Sequence, residues 1–257
     1  MKKSFVFTVD DNIRFLKELT DGAYSSIFEH PYMAVYKRLH EKFGLKVQLN
    51  LFYSTTGFTL SQMTDAYLAE WKENSDWLKL SFHSKLENYR PYESSPYSEV
   101  FDDCSRVHQE ILRFAGKAAL AKTTTLHYCR ATNDGLSAMR DNGVAGLLGL
   151  FGTPDEPKTS YGIDVEYAEK IRSGETVFKN RLYFSGIDIV LNQFDTEEIL
   201  KMLDSIKTRI SVKIMIHEQY FYPDYPKYQN DFEEKLSKVF SHLTKDGRES
   251  IFFQELI

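Results

Sequence analysis

Short apolar, β-branched runs alternate with amphipathic segments along the whole chain, and this alternation constrains the fold more than any other feature. Strand-like runs fall at residues 4–9, 46–52, 77–82, 123–128, 144–150, 187–191 and 212–216. Most are nearly continuous in apolar residues, as strands covered on both faces are. Helical patterns lie between them at 31–42, 60–72, 97–114, 134–142 and 196–207, and a last one follows at 231–243. Helix punctuation agrees with this reading. Gly44 stands where a left-handed C-cap suits it, Asp195 or Thr196 precedes Glu197–Glu198 and an apolar run, and Asn142-Gly143 divides a helix from a strand. Strand–helix alternation of this kind needs crossover connections, and so implies an α/β fold with a parallel sheet, open or closed.

The chain of 257 residues carries no internal repeat and no Pro/Gly/Ser linker, so it reads as one domain over 1–257. Residues 153–185 are the exception. They are rich in turn residues and charge, and read as an excursion with a small hairpin or helix at 165–172, either a lid or binding loop or solvated decoration.

A net charge of −5, with no stripe of Lys or Arg, argues against nucleic acid as a partner. No apolar stretch approaches the roughly 20 residues of a membrane span. Met1-Lys2-Lys3 looks like the basic end of a signal peptide, but Asp10–Asp11 ends the apolar run that follows. A cytoplasmic protein with a soluble, intracellular substrate is the expectation, and a homo-oligomer is left open. Cys104 and Cys129 are too few for a disulfide framework and are expected as reduced thiols. Loop tyrosines (Tyr89, Tyr92, Tyr97, Tyr220, Tyr222, Tyr225 and Tyr228) suit either a pocket lining or ordinary half-buried packing.

Chemistry-bearing residues gather at strand ends. The first strand ends in Asp10–Asp11, the third in His83, the fourth near His127 and Arg130, and the last in His217–Glu218. In a strand–helix barrel the C-terminal strand ends share one rim, so these residues converge there. They are the types that bind metals and move protons. Adjacent carboxylates on a strand point to opposite sides, so both serve one site only where the strand ends and turns, as Asn12 allows. Each residue also has an ordinary alternative: a loop or N-cap for the acidic pair, a packed strand-end His83, an exposed helical Glu87. His127 reads as a hydrogen-bonded structural residue, and His30, His40, His108 and His242 as surface residues. Cys129 lacks a nucleophile signature. The glycine-rich stretch 143–149 lacks the Lys-Ser/Thr of a phosphate loop and fits a packed strand better.

Thr8-Val9-Asp10-Asp11-Asn12 resembles the first motif, Thr-Phe-Asp-Asp-Gly, of the polysaccharide deacetylases (NodB-like carbohydrate esterases). Ser81-Phe82-His83-Ser84-Lys85-Leu86-Glu87 resembles the second, His-Ser/Thr-x-x-His, and Val212-Lys213-Ile214-Met215-Ile216-His217 the last; Arg130 matches the third loosely. Motif order and rough spacing agree over nearly the full chain. The resemblance implies a distorted (β/α) barrel of about seven parallel strands and metal-assisted hydrolysis of N-acetyl groups. It makes Asp10 the general base, His217 the general acid and Arg130 the residue that orients Asp10. It makes Asp11 and His83 ligands of a divalent metal, with zinc the expected ion. The family's second ligand His is Glu87 here, which could supply an oxygen instead, and Asn12 stands in place of Gly.

The first reading is therefore a metal-dependent hydrolase of a C–N amide bond, a deacetylase of an N-acetylated sugar or small N-acyl compound. Two alternatives stand beside it. The Glu87 departure suggests a metal-independent cyclic amide or ureide hydrolase using Asp10 and His217. The Tyr-rich rim suggests a barrel that has lost catalysis and binds carbohydrate.

Overall fold

The computed structural model describes residues 2–87, 92–153 and 155–257. Eight strands build the wall: β1 (Ser4–Asn12), β2 (Val47–Phe52), β3 (Leu78–Ser84), β4 (Thr123–Thr124), β5 (Gly146–Gly149), β6 (Leu182–Gly186), β7 (Ile189–Val190) and β8 (Ser211–His217). One parallel sheet runs in the order β7-β8-β1-β2-β3, and a second joins β4, β5 and β6, with Val177–Lys179 antiparallel on its edge.

The two sheets meet at two seams. At one, Leu80 bridges to Leu120 and its carbonyl accepts from the Ala121 N–H at 2.8 Å, while the Thr124 hydroxyl reaches the Phe82 carbonyl. At the other, the Ile187 N–H donates to the Gly149 carbonyl (2.9 Å) and the next N–H, of Asp188, to the Lys213 carbonyl (2.7 Å). The chain thus passes from one sheet to the other within two residues. The result is a distorted barrel held at its seams by isolated bonds instead of full ladders.

Alternation along the strands separates the two faces. Phe5, Phe7, Val9, Leu49 and Phe82 belong to the large core beneath the helices Pro31–Phe43, Tyr97–Phe114 and Phe232–Lys245. Val6 belongs instead to a small second cluster with Leu148, Val190, Met215 and Phe253, on the other face of the strand. Above Val6 on that inner face come Thr8 and Asp10, beside Gln48 and Asn50 of β2 and Ser81 and His83 of β3, all buried. The barrel interior is apolar below and polar toward the rim that carries the strand ends.

Several local expectations change. Residues 60–72 are not one helix: a 3-10 turn at Leu60–Gln62 is closed by a Thr59/Gln62 capping box, extended backbone at Met63 stops it, and a helix resumes at Leu68–Glu73. Only Thr123–Thr124 of the run 123–128 is strand. The excursion contains the helix Val165–Arg172, but its end, β6, is part of the barrel wall. Asn180 and Arg181 turn the hairpin into β6 with positive φ at both positions (53° and 63°), the geometry of a tight two-residue turn. His30 and His108 are buried, not surface residues; His30 accepts from the Tyr32 N–H and pairs with Glu18. The stretch 143–149 is packed strand: a Cβ at Gly146 would lie 2.9 Å from the Phe253 ring.

Candidate active site

The turn that lets neighbouring aspartates share one site lies at Asp11 itself, not after it. Asp11 has φ +64°, and the pairing of β1 with β2 slips between Val9 and Asn12. This bulge turns the Asp11 side chain back toward the face that already carries Asp10. Asn12 pins it from beneath, donating to the Val9 carbonyl (2.6 Å) and accepting from the Tyr32 hydroxyl (2.8 Å). The helix that follows, Arg14–Asp21, is capped by neither aspartate. Glu218, next to His217, accepts from the backbone N–H groups of Ile13 (2.7 Å), Arg14 (3.0 Å) and Phe15 (2.8 Å).

Asp11, His83 and His127 converge. The Asp11 Oδ1 lies 3.0 Å from His83 Nε2 and 3.3 Å from His127 Nδ1, and the two ring nitrogens are 3.2 Å apart. Each side chain is anchored by its other polar atom. His83 Nδ1 faces the Thr125 carbonyl at 2.5 Å, His127 Nε2 faces the Glu87 carbonyl at 2.9 Å, and Asp11 Oδ2 accepts from Gln219 at 2.8 Å. A ring nitrogen opposite a carbonyl must carry a proton, so the nitrogens that His83 and His127 turn toward the Asp11 oxygen are the ones available to a ligand. With their donor atoms within 4.8 Å of one another, the three side chains could hold a cation between them. One carboxylate and two imidazoles, each oriented by an outer partner, suit a divalent transition metal such as zinc.

Burial would push His83 down, but the Asp10 and Asp11 carboxylates outweigh it and raise its pKa. Burial also opposes ionisation of Asp11, yet its bonds to His127 and His83 hold it well below the usual carboxylate range. For Asp10 burial wins and pushes the carboxyl up, against the pull of His83, His217 and the Asn50 amide.

The structure thus brings Asp10, Asp11, His83 and His217 to one rim, and leaves two expected residues out. Glu87 is exposed on the flank, and it is its backbone carbonyl, not its carboxylate, that touches the cluster. His127 holds the place expected for it. Arg130 does not orient Asp10: its guanidinium is half exposed and pairs with Glu93 at 3.7 Å. The preceding residues, Tyr128 and Cys129, both have positive φ (62° and 54°), and this reversal brings His127 in while the chain beyond leaves the rim. Asp10 is held by Asn50 instead, whose Nδ2 donates to Asp10 Oδ1 at 2.6 Å. His217 Nδ1 bonds to Asn192 Oδ1 at 2.8 Å.

Two cavities flank the cluster. One of about 320 Å³ is lined by Asp10, His83, His127 and His217 with Leu126 and Leu150; the other, of about 220 Å³, lies beside Asp11 with Phe52, Tyr222 and Tyr225. Of the other loop tyrosines, Tyr92 is buried against Asp103, and Tyr89 lies outside the described residues.

No family model matches the sequence, and no curated protein matches it. Solved structures do match, at low identity and over nearly the whole chain. A peptidoglycan N-acetylglucosamine deacetylase superposes with a TM-score of 0.57 at 11% identity, over 100% of this chain and 88% of that one. A family 4 acetyl xylan esterase from Clostridium thermocellum, solved with a cobalt ion, gives 0.52 at 13%, over 99% and 90%. A 4-alpha-glucanotransferase from Thermococcus litoralis gives 0.59 at 12%, over 99% of this chain but 40% of that one. A family pseudoenzyme from Bacillus anthracis shares the fold as well, at 0.50 and 11%. The fold is thus similar to that of solved structures described as polysaccharide deacetylases and carbohydrate esterases of family 4.

Proposed function

We propose that this protein is a metal-dependent hydrolase that removes acetyl groups from an N-acetylated carbohydrate, cleaving a C–N amide bond. The observation that carries this reading is the convergence of Asp11, His83 and His127, with donor atoms within 4.8 Å of one another, beside Asp10 and His217, which are register partners on adjacent strands. A divalent ion held by those three residues would polarise the acyl carbonyl and make a neighbouring water more acidic. Asp10 takes the proton of the attacking water. His217, anchored through Nδ1, gives a proton from Nε2 to the leaving nitrogen as the C–N bond breaks, so that acetate and a free amine result. Leu126, Leu150 and Met215 give the larger cavity an apolar wall for a small acyl group.

The deacetylase and the cobalt-holding esterase among the fold neighbours support a carbohydrate substrate and a metal. The metal-free alternative rested on Glu87, and His127 offers the third donor that Glu87 does not. The test is acetate release from N-acetylglucosamine oligomers and from acetylated xylan, with metal content measured before and after chelation. Full turnover by metal-free protein overturns the metal dependence. Release from the O-acetyl substrate alone makes the protein an esterase.

A further inference from the structure

Asp10 is served from inside the barrel, by a chain of amides no motif includes. Among the described residues, Asn50 is the one side chain that donates to its carboxylate. An amide can present either end, but here the network allows one orientation. The Thr123 carbonyl can only accept, so the Gln48 atom facing it at 2.8 Å must be Nε2. Gln48 Oε1 then receives the Thr123 hydroxyl at 3.1 Å, and the second Nε2 proton points at Asn50 at 2.8 Å. Asn50 must meet that proton with Oδ1, which leaves its Nδ2 to face Asp10. All of these groups are buried, and Gln48 and Asn50 lie on the same face of β2, two residues apart.

We propose that Asn50, itself set by Gln48, is the positioning residue for Asp10, filling from the barrel interior the place expected for Arg130. A neutral amide fixes the carboxylate through Oδ1 and leaves Oδ2 for the proton of the attacking water, without a permanent positive charge against the base. Donors that orient a reacting group are worth roughly 10–100-fold in rate. This inference rests on the hydrolase reading above, and its test separates the two.

The experiment is a double-mutant cycle with Asp10→Asn. Asn50→Leu lowers kcat about 10–100-fold with KM and metal content unchanged, and in the Asp10→Asn background it lowers kcat no further, because a residue acting through Asp10 has nothing left to orient. Gln48→Met keeps the volume, removes the donor to Asn50 and gives a smaller loss of the same kind; it also covers the case in which Asn50→Leu fails to fold. Losses that multiply in the double variants, or an undiminished kcat in Asn50→Leu, overturn the proposal. If the metal-loaded wild type releases no acetate, the hydrolase reading falls. The same cycle scored on urea midpoints then decides whether Asn50 and Asp10 act as a pair, and additive shifts overturn the relay.

Discussion

Asp10 and His217 are register partners on neighbouring parallel strands, paired residue to residue across β1 and β8. Strands stand about 4.8 Å apart, so the sheet itself sets the spacing of the proposed base and acid. The Nδ1 bond to Asn192 leaves Nε2 of His217 as the atom that would exchange a proton with substrate in the proposed reaction. Asp10→Asn and His217→Gln should each lower kcat by about 10²–10⁴-fold while bound metal stays unchanged. The double variant should be little worse than the poorer single, since the two act in one proton-transfer sequence. Metal loss in either variant would show that the residue belongs to the ligand set instead.

His127 and Glu87 make opposite predictions. His127→Ala removes one of three donors and should lower metal retention after dialysis by at least tenfold, roughly the loss seen when ligand spheres are disturbed. Glu87→Gln leaves the backbone carbonyl that anchors His127 and should bind metal as the wild type does. Metal analysis of the two variants side by side checks this. Equal retention in both would remove His127 from the site.

The barrel was legible because its strands are apolar and regularly spaced, and Asp10, Asp11, His83 and His217 were legible because strand ends share a rim. The sequence carries a signal for Asn50 as well. Thr8-Val9-Asp10, Gln48-Leu49-Asn50 and Ser81-Phe82-His83 are all polar–apolar–polar, and on three adjacent strands that pattern means a polar barrel interior with one apolar residue facing the helices. His127 carried only its place near the end of the fourth strand-like run. It enters the site through two consecutive left-handed residues, Tyr128 and Cys129, whose side chains ordinarily disfavour that backbone, so local propensity points away from the observed turn. The same reversal defeated the placement of Arg130, and a ligand spacing read along one strand could not anticipate a donor from the next.

His108 gives the fold a pH dependence distant from the rim. It is buried within the helix Tyr97–Phe114, with the Cys104 sulfur 3.7 Å from its Nε2, and burial pushes its pKa down from 6.5 to about 4. Between those values the unfolded chain takes up a proton that the folded protein refuses, so stability falls as pH drops through that window. A shift of that size corresponds to about 3 kcal/mol by pH 4. Urea unfolding at pH 7, 5.5 and 4.5 should show a falling midpoint, and His108→Gln should flatten the part of the slope this residue contributes. A slope unchanged in His108→Gln would assign acid sensitivity to other groups.

Tyr161 links the excursion to the turn that carries His127. Its hydroxyl donates to the Leu148 carbonyl at 2.5 Å and accepts from the Leu126 N–H at 3.2 Å, and its own N–H donates to the Cys129 carbonyl at 2.9 Å. Leu126 and Cys129 bracket the turn that presents His127, so the excursion holds that turn from behind. Tyr161→Phe keeps the ring and strands a buried N–H and a buried carbonyl, at a cost of about 1–3 kcal/mol. The turn should loosen as well, and metal affinity should fall about tenfold, as for other outer partners of ligands. Chemical denaturation and metal titration of the same variant separate the two effects. Lost stability with unchanged metal affinity would make residue 161 a support of the fold alone.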